Sequence, residues 1–188
     1  MRTDIKKWTV GAPIQAPLDA LDTLLKREKF GAAQVKQVVV RVATDEAAIV
    51  NNREISDINL QHLIALMLLD KTVSFKAAHD VSRMKDPAVL RERAKVQLVP
   101  DDELEKLMPQ RTAIVEVTLT DGRTSRERVG TVRGTAANPM TKDEVIAKAR
   151  DLVAPVLGTS TFQKLSDTVF ALESVKNVSE LRPLVQKS

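Results

Sequence analysis

The chain has 188 residues, about one domain's length, and its 43% hydrophobic and 29% charged content excludes bulk disorder, collagen and a disulfide-rich miniprotein. It contains no cysteine, which excludes disulfides, thiolate nucleophiles and cysteine-based metal sites. A net charge of +4, from 29 basic and 25 acidic residues, argues against nucleic acid as a partner but suits a small polyanionic substrate.

The first third of the chain predicts two helices around one strand. Leucines at helical spacing predict a helix over 17–29, which begins at a proline and has Gly31 as its C-terminal stop. The valine-rich segment 35–42 predicts a strand. A second helix over 57–69 opens at Asp57, and its apolar residues cover most of its circumference. We therefore expect it to be a buried central helix.

The middle of the chain predicts a capped helix followed by strands. Asp86 stands directly before a proline, which is typical of a helix N-cap. A short strand is predicted over 95–99. Apolar and polar residues then alternate over 112–120 and 123–132, on either side of an Asp-Gly pair. This pattern predicts a β-hairpin.

The chain changes character near residue 136. An Asn-Pro turn is followed by a capping box formed by Thr141 and Glu144, and further helices are predicted over 161–172 and 179–185. We therefore predict an α+β domain over 1–136, an antiparallel sheet with helices packed on it, followed by an all-helical segment over 137–188.

Local chemistry alone singles out His62 and Lys6. His62 has apolar neighbours on its helix, which fits either a buried neutral histidine with one hydrogen bond or an acid–base group whose pKa is tuned by burial. Lys6 is either a solvated lysine near the chain terminus or a point charge that holds a substrate carboxylate. No metal-binding or phosphate-binding pattern accompanies them, so we expect no metal and no cofactor.

Several short motifs, in their order and spacing, resemble the C-terminal part of the MmgE/PrpD family from about residue 4 to residue 184. The motifs are Ile5 to Leu21 (IKKWTVGAPIQAPLDAL), Asn51 to Arg53 (NNR), Asp57 to His62 (DINLQH), Met67 to Asp70 (MLLD), His79-Asp80, Met84 to Pro87 (MKDP), Asp121-Gly122 and Gly134 to Thr141 (GTAANPMT).

The resemblance implies a fold and a substrate class. Members of this family include 2-methylcitrate dehydratase, cis-aconitate decarboxylase and iminodisuccinate epimerase, which act on small polycarboxylates without a metal. Their active site lies between a large helical domain and a smaller α+β lid. The resemblance implies that this chain holds the lid and the terminal helices. The large N-terminal helical domain is then expected from a longer protein or a second polypeptide.

Two catalytic residues follow from the resemblance. Lys6 matches the family's cleft lysine, which neutralises a substrate carboxylate or a developing enolate-like charge. His62 matches a central-helix position usually held by tyrosine, a proton donor. The general base is expected on the helical domain, so the chain by itself is expected to be inactive.

Three substrate-binding candidates follow from the same comparison. Gln15 stands where dehydratase-like members tend to carry histidine, and Ala12 where many carry arginine, so methylcitrate itself is disfavoured as the substrate. Arg53 and Arg133 are lesser candidates for carboxylate contact, with a solvated surface arginine as the alternative for each.

We therefore predict the C-terminal part of a 2-methylcitrate dehydratase-like lyase or isomerase that removes a proton next to a carboxylate. The alternative is a non-catalytic binding or assembly module derived from the same family. The longest apolar run, residues 63–69, is too short to span a membrane, and we expect no signal peptide because the first residues lack an apolar core. We expect a cytoplasmic homo-oligomer with no nucleic-acid or membrane partner. Its helical segment should expose an apolar face formed by Val145, Leu152, Val153, Leu165 and Phe170.

Overall fold

The computed structural model describes residues 3–186, and the chain divides into two compact units between Pro139 and Met140. The two units are described separately. The helices and strands of the first unit are α1 (Gln15–Glu28), β1 (Val35–Ala43), α2 (Thr44–Val50), α3 (Leu60–Asp70), α4 (Phe75–His79), α5 (Pro87–Arg93), β2 (Val96–Asp101), α6 (Asp102–Glu105), β3 (Ala113–Leu119) and β4 (Thr124–Val129).

The four strands form one mixed sheet in the order β2-β1-β3-β4. The predicted hairpin is confirmed: β3 and β4 pair antiparallel, and Gly122 takes the positive φ of +89° that its turn requires. β3 also pairs antiparallel with β1, whereas β1 and β2 are parallel. The parallel pair departs from the expected antiparallel sheet, because α2 to α5 form a crossover connection between these strands.

The hydrophobic core lies on one face of the sheet. Every second residue of β3 is buried, and the valines of β1 that face the same way are fully buried. α1 packs on β3 and β4, and α3 packs against α1 and β2. All residues from Leu60 to Leu68 are buried, which confirms the prediction of a central buried helix.

The boundaries of α1 differ from the prediction. The helix begins at Gln15, directly after a 3₁₀ turn over Ala12–Ile14, and therefore before the proline expected to start it. It ends at Glu28, and the C-cap residue Lys29 takes the left-handed conformation (φ +55°) while its N–H donates to the Leu25 carbonyl at 3.1 Å. Gly31 is extended (φ −99°), so it is not the C-terminal stop. Tertiary packing overrode the local preference for glycine.

The predicted N-caps were right in one case and wrong in the other. The carboxylate of Asp86 accepts a hydrogen bond from the backbone N–H of Ala88 at 2.8 Å, as an N-cap should. Asp57 instead lies in a 3₁₀ turn, and Asn59 caps α3 by accepting from the His62 backbone N–H at 2.9 Å. Asparagine is as good an N-cap as aspartate, which allows α3 to begin later than predicted.

The second unit contains α7 (Lys142–Leu157), α8 (Thr159–Phe170) and 3₁₀ turns over Leu172–Ser174 and Val178–Leu184. The capping box of Thr141 and Glu144 is confirmed. The last segment is a 3₁₀ helix with an internal proline rather than an α-helix.

The helices of the second unit bury little apolar surface. Phe162 is the one buried residue among the described residues of this unit. None of the five apolar residues predicted to form an exposed face is buried, and Phe170 is 45% exposed. Within residues 3–186, no helix has the length and apolar character needed to span a membrane.

Candidate functional site

A cavity of about 400 Å³ lies in the first unit, beside the start of β3 and the end of β4. Three segments supply most of its lining. They are the amino-terminal segment (residues 4–6), the proline loop (residues 109–111) and the glycine loop (residues 130–137). The volume is within the usual range of small-molecule sites, so the cavity is the candidate site.

Positive charge dominates this cavity. Lys6, Arg111 and Arg133 line it, and Asp4 is the acidic residue that lines it with them. The Lys6 ammonium donates to the Val10 carbonyl at 3.3 Å and forms no ion pair with any described residue. The Asp4 carboxylate accepts from a backbone N–H of the glycine loop at 3.0 Å. Three cations from three separate segments favour an anionic ligand with more than one charge.

The Gln15 amide holds the chain that follows the amino-terminal segment. Gln15 is 3% exposed and lines the cavity. Its Oε1 accepts from the Trp8 backbone N–H at 3.1 Å, and its Nε2 donates to the carbonyls of Trp8 and Val10 at 2.9 and 3.3 Å. The amide therefore fixes the backbone that carries Lys6 into the cavity.

Asp19 joins the amino-terminal part of the chain to the glycine loop. Its carboxylate accepts from the Trp8 indole N–H at 2.9 Å and from the Arg133 backbone N–H at 2.8 Å. Burial raises the pKa of Asp19, and the two hydrogen bonds and the nearby Lys7 ammonium oppose this rise. One carboxylate thus joins Trp8, two residues after the amino-terminal segment, to the glycine loop.

A close backbone contact joins the same two walls. The Ile5 N–H donates to the Gly134 carbonyl at 2.7 Å. Gly134 has φ +95°, and a Cβ at this position would lie 1.8 Å from the Ile5 carbonyl oxygen. Only glycine fits here, because any side chain would push the amino-terminal segment away.

Arg111 enters the cavity from the third wall and was not predicted from the sequence. One of its terminal nitrogens donates to the carboxylate of Glu46, a buried residue of α2. Burial raises the pKa of Glu46, and the charge of Arg111 opposes this rise. Gln110 donates to the Gly130 carbonyl, which connects the proline loop to the glycine loop. No local sequence pattern marks Arg111, because its position depends on the pairing of β3 with β4.

His62 is fully buried on α3. Neither ring nitrogen has a hydrogen-bond partner among the described residues. Burial lowers the pKa of His62 to about 4, and the charges of Arg93 and Arg83 act in the same direction. The imidazole is therefore neutral at pH 7 and does not have the single hydrogen bond expected of a structural core histidine.

The structure brings together three of the five predicted site residues. Lys6, Gln15 and Arg133 line the cavity. His62 and Arg53 do not line it, and Arg53 is exposed at the surface. Within residues 3–186, no group of three or more histidine, aspartate or glutamate side chains is placed to hold a metal ion.

Comparison with protein-family models gives a match over most of the chain. A family model described as the MmgE/PrpD C-terminal domain matches residues 8–173, which is most of the chain. A search of curated proteins finds no match. The matched range includes the proline loop and the glycine loop, whereas Lys6 lies just before it.

Proposed function

Because the chain belongs to the MmgE/PrpD family, we propose that it forms one side of the active site of a lyase or isomerase acting on a small di- or tricarboxylate. The observation that carries this proposal is the cavity lined by Lys6, Arg111 and Arg133. A small ligand with several carboxylates matches both the size and the charge of that cavity.

The proposed reaction begins with removal of a proton from the carbon next to a carboxylate. The resulting carbanion is costly in water, and a fixed positive charge close to the carboxylate lowers that cost. Lys6 supplies such a charge, because its ammonium has only a backbone carbonyl as a protein partner among the described residues. We assign Arg133 and Gln15 to substrate binding, with Gln15 acting through the backbone that it holds.

The proton donor of the proposal is His62. A neutral imidazole donates a hydrogen bond from one nitrogen and accepts one at the other, and it must first take up a proton before it can give one to the substrate. His62 is buried outside the cavity lining. Its role as a proton donor therefore requires a rearrangement that brings a ring nitrogen to the substrate. The kinetics of His62 variants test this role.

The general base belongs, in this proposal, to a large helical domain that residues 140–188 pack against. The exposed apolar side chains of Val156 on α7 and of Val169 and Phe170 on α8 support this assignment, because a partner domain could bury them. Activity then requires that domain, whether it is on the same polypeptide or on another.

A second candidate function is a binding or assembly module of the same family without catalysis. The position of His62 favours it, because the proposed proton donor does not reach the cavity. Both candidates predict that the cavity binds carboxylates, and only the enzyme predicts turnover once the helical domain is supplied.

The first test is calorimetric titration of the 188-residue chain with tricarballylate, a propane tricarboxylate. Lys6→Ala and Arg133→Ala should each weaken binding by about tenfold or more, since a hydrogen bond to a charged group contributes roughly 1.5 kcal/mol or more. Lys76→Ala is the matched control, since Lys76 is exposed and does not line the cavity. A folded wild-type chain that binds no tricarballylate would contradict the proposal.

A further inference from the structure

The pairing of β3 with β4 places Arg111 opposite the glycine loop. Ala113 at the start of β3 pairs with Val129 at the end of β4. The residues just before β3 and just after β4 therefore lie at the same end of the hairpin. The hydrogen bond from Gln110 to the Gly130 carbonyl shows that the two loops meet there. Arg111 and Arg133 consequently line one cavity although they are far apart in sequence.

The Arg111 guanidinium is held on one side and open on the other. Its Nη1 donates to Glu46, whose side chain is 3% exposed, whereas the Arg111 side chain is 38% exposed. Its Nε and Nη2 donate to no described residue. A guanidinium fixed by a buried carboxylate at one nitrogen keeps N–H donors in a planar arrangement that suits a second carboxylate.

A buried glutamate requires a cation, so the pair could exist for stability alone. Arg91 and Glu92 provide a comparison within this chain. Glu92 is also 3% exposed, and its carboxylate lies 2.7 Å from the Lys95 ammonium and 3.5 Å from the Arg91 guanidinium, yet none of these residues lines the cavity. Arg111 differs because it lines the cavity together with two other cations that come from different segments.

We propose that Arg111, held in place by Glu46, contacts a third carboxylate of the ligand and thereby determines a preference for tricarboxylates over dicarboxylates. This inference rests on the proposed function, in which Lys6 and Arg133 contact two carboxylates. Glu46 is a positioning residue, since its carboxylate is buried behind the guanidinium. Arg111 is the residue that touches the ligand.

The test compares two ligands that differ by one carboxylate. Tricarballylate carries a carboxylate on the central carbon, and glutarate has the same carbon chain without it. We expect the wild-type chain to bind tricarballylate about tenfold more tightly than glutarate, the scale of one added charged hydrogen-bonding contact. Arg111→Gln should bring the two affinities within about twofold to threefold of each other, because Lys6 and Arg133 still hold glutarate.

Glu46→Gln tests the positioning role. It keeps the charge of Arg111 but removes the carboxylate that orients it, so the ratio of the two affinities should fall to an intermediate value. If Glu46 had only a structural role, Glu46→Gln would weaken the binding of both ligands equally and leave the ratio of the two affinities unchanged. The double variant Glu46→Gln with Arg111→Gln leaves no unpaired buried charge, and it should have the ratio of Arg111→Gln even if that single variant folds poorly. Arg91→Gln is the matched control and should keep the wild-type ratio.

The outcomes separate this inference from the proposed function. An unchanged ratio in folded Arg111→Gln and in the double variant, with wild-type binding intact, overturns the role of Arg111 and leaves the carboxylate site standing. A folded wild-type chain that binds neither ligand overturns both. Equal losses of both ligands in Arg111→Gln also overturn the inference, because Arg111 would then contact a carboxylate that both ligands share.

Discussion

His62 lies in the core with neither ring nitrogen bonded to a described residue, and its pKa is lowered from 6.5 to about 4 by burial. Between these two values the unfolded chain binds a proton that the folded chain does not bind. The free energy of unfolding should therefore fall as the pH drops from about 6.5 to about 4, by roughly 3 kcal/mol from this group. His62→Leu should remove that share of the pH dependence. Urea denaturation of both proteins at pH 7 and pH 4.5 measures the free energy of unfolding. If the difference between the two pH values is the same in His62→Leu as in the wild type, His62 is not the source of this pH dependence.

The catalytic assignment of His62 makes a separate prediction in an enzyme that includes the helical domain. His62→Ala should lower kcat/KM by ~10²-fold or more, the usual scale for a lost proton donor. His62→Tyr should retain more activity and move the pH optimum upward, because the ordinary pKa of tyrosine is ~10. Rates must be normalised to folded protein. Near-wild-type turnover of folded His62→Ala would leave His62 as a core residue only.

Sequence reasoning found Lys6, Gln15 and Arg133, which the fold brings to one cavity. It missed Arg111, since the residues around it carry no motif and only the register of β3 on β4 brings it there. It did not predict how Gln15 is held: the amide of Gln15 bonds the backbone of Trp8, and the role of Gln15 in substrate binding stays a prediction. Side-chain identity predicted the kind of chemistry, while the hydrogen-bond partners depended on tertiary contacts.

At the scale of elements, the glycine loop lies against the backbone of the amino-terminal segment. Gly134→Ala should destabilise the fold by at least about 2 kcal/mol, because it combines a positive φ with a Cβ placed 1.8 Å from the Ile5 carbonyl oxygen. It should also weaken tricarballylate binding, since the displaced segment carries Lys6.

Gly122→Ala is the control for that prediction. Gly122 has a similar φ of +89°, but nothing lies within 4 Å of its Cβ position. Gly122→Ala should therefore lower the free energy of unfolding only by the backbone strain, about 1 to 2 kcal/mol, and should leave tricarballylate binding unchanged. Thermal unfolding and calorimetry of the two variants measure both effects. If both variants lose the same free energy of unfolding, or if folded Gly134→Ala binds tricarballylate as the wild type does, the contact between Gly134 and Ile5 does not shape the site.

The elements themselves were predicted well where the signal was local. The Asp86 N-cap, the capping box at Thr141 and the hairpin at Gly122 each depend on residues within one turn, and all three are confirmed. The end of α1 and the parallel pairing of β2 were not predicted. The left-handed conformation of Lys29 and the crossover of four helices between β1 and β2 are decided by packing between distant segments, which no local pattern records.

At the scale of the molecule, the hydrophobic core and the cavity belong to the first unit. Every residue of the core cluster lies between Trp8 and Val132, and every residue that lines the cavity lies between Asp4 and Ala137. The second unit buries Phe162 and leaves side chains such as Val156 and Val178 more than half exposed. Stability and ligand binding should therefore both reside in residues 1–139.

Removing residues 140–188 tests this division. The shortened chain should unfold cooperatively, with a free energy of unfolding within about 1 kcal/mol of the full chain, because no core residue is lost. It should bind tricarballylate with the same affinity, since the three cations remain. In an enzyme that includes the helical domain, the same deletion should abolish turnover, because the apolar faces of α7 and α8 would no longer dock. Denaturation, calorimetry and kinetics separate these effects, and a shortened chain that fails to fold would show that the second unit stabilises the first.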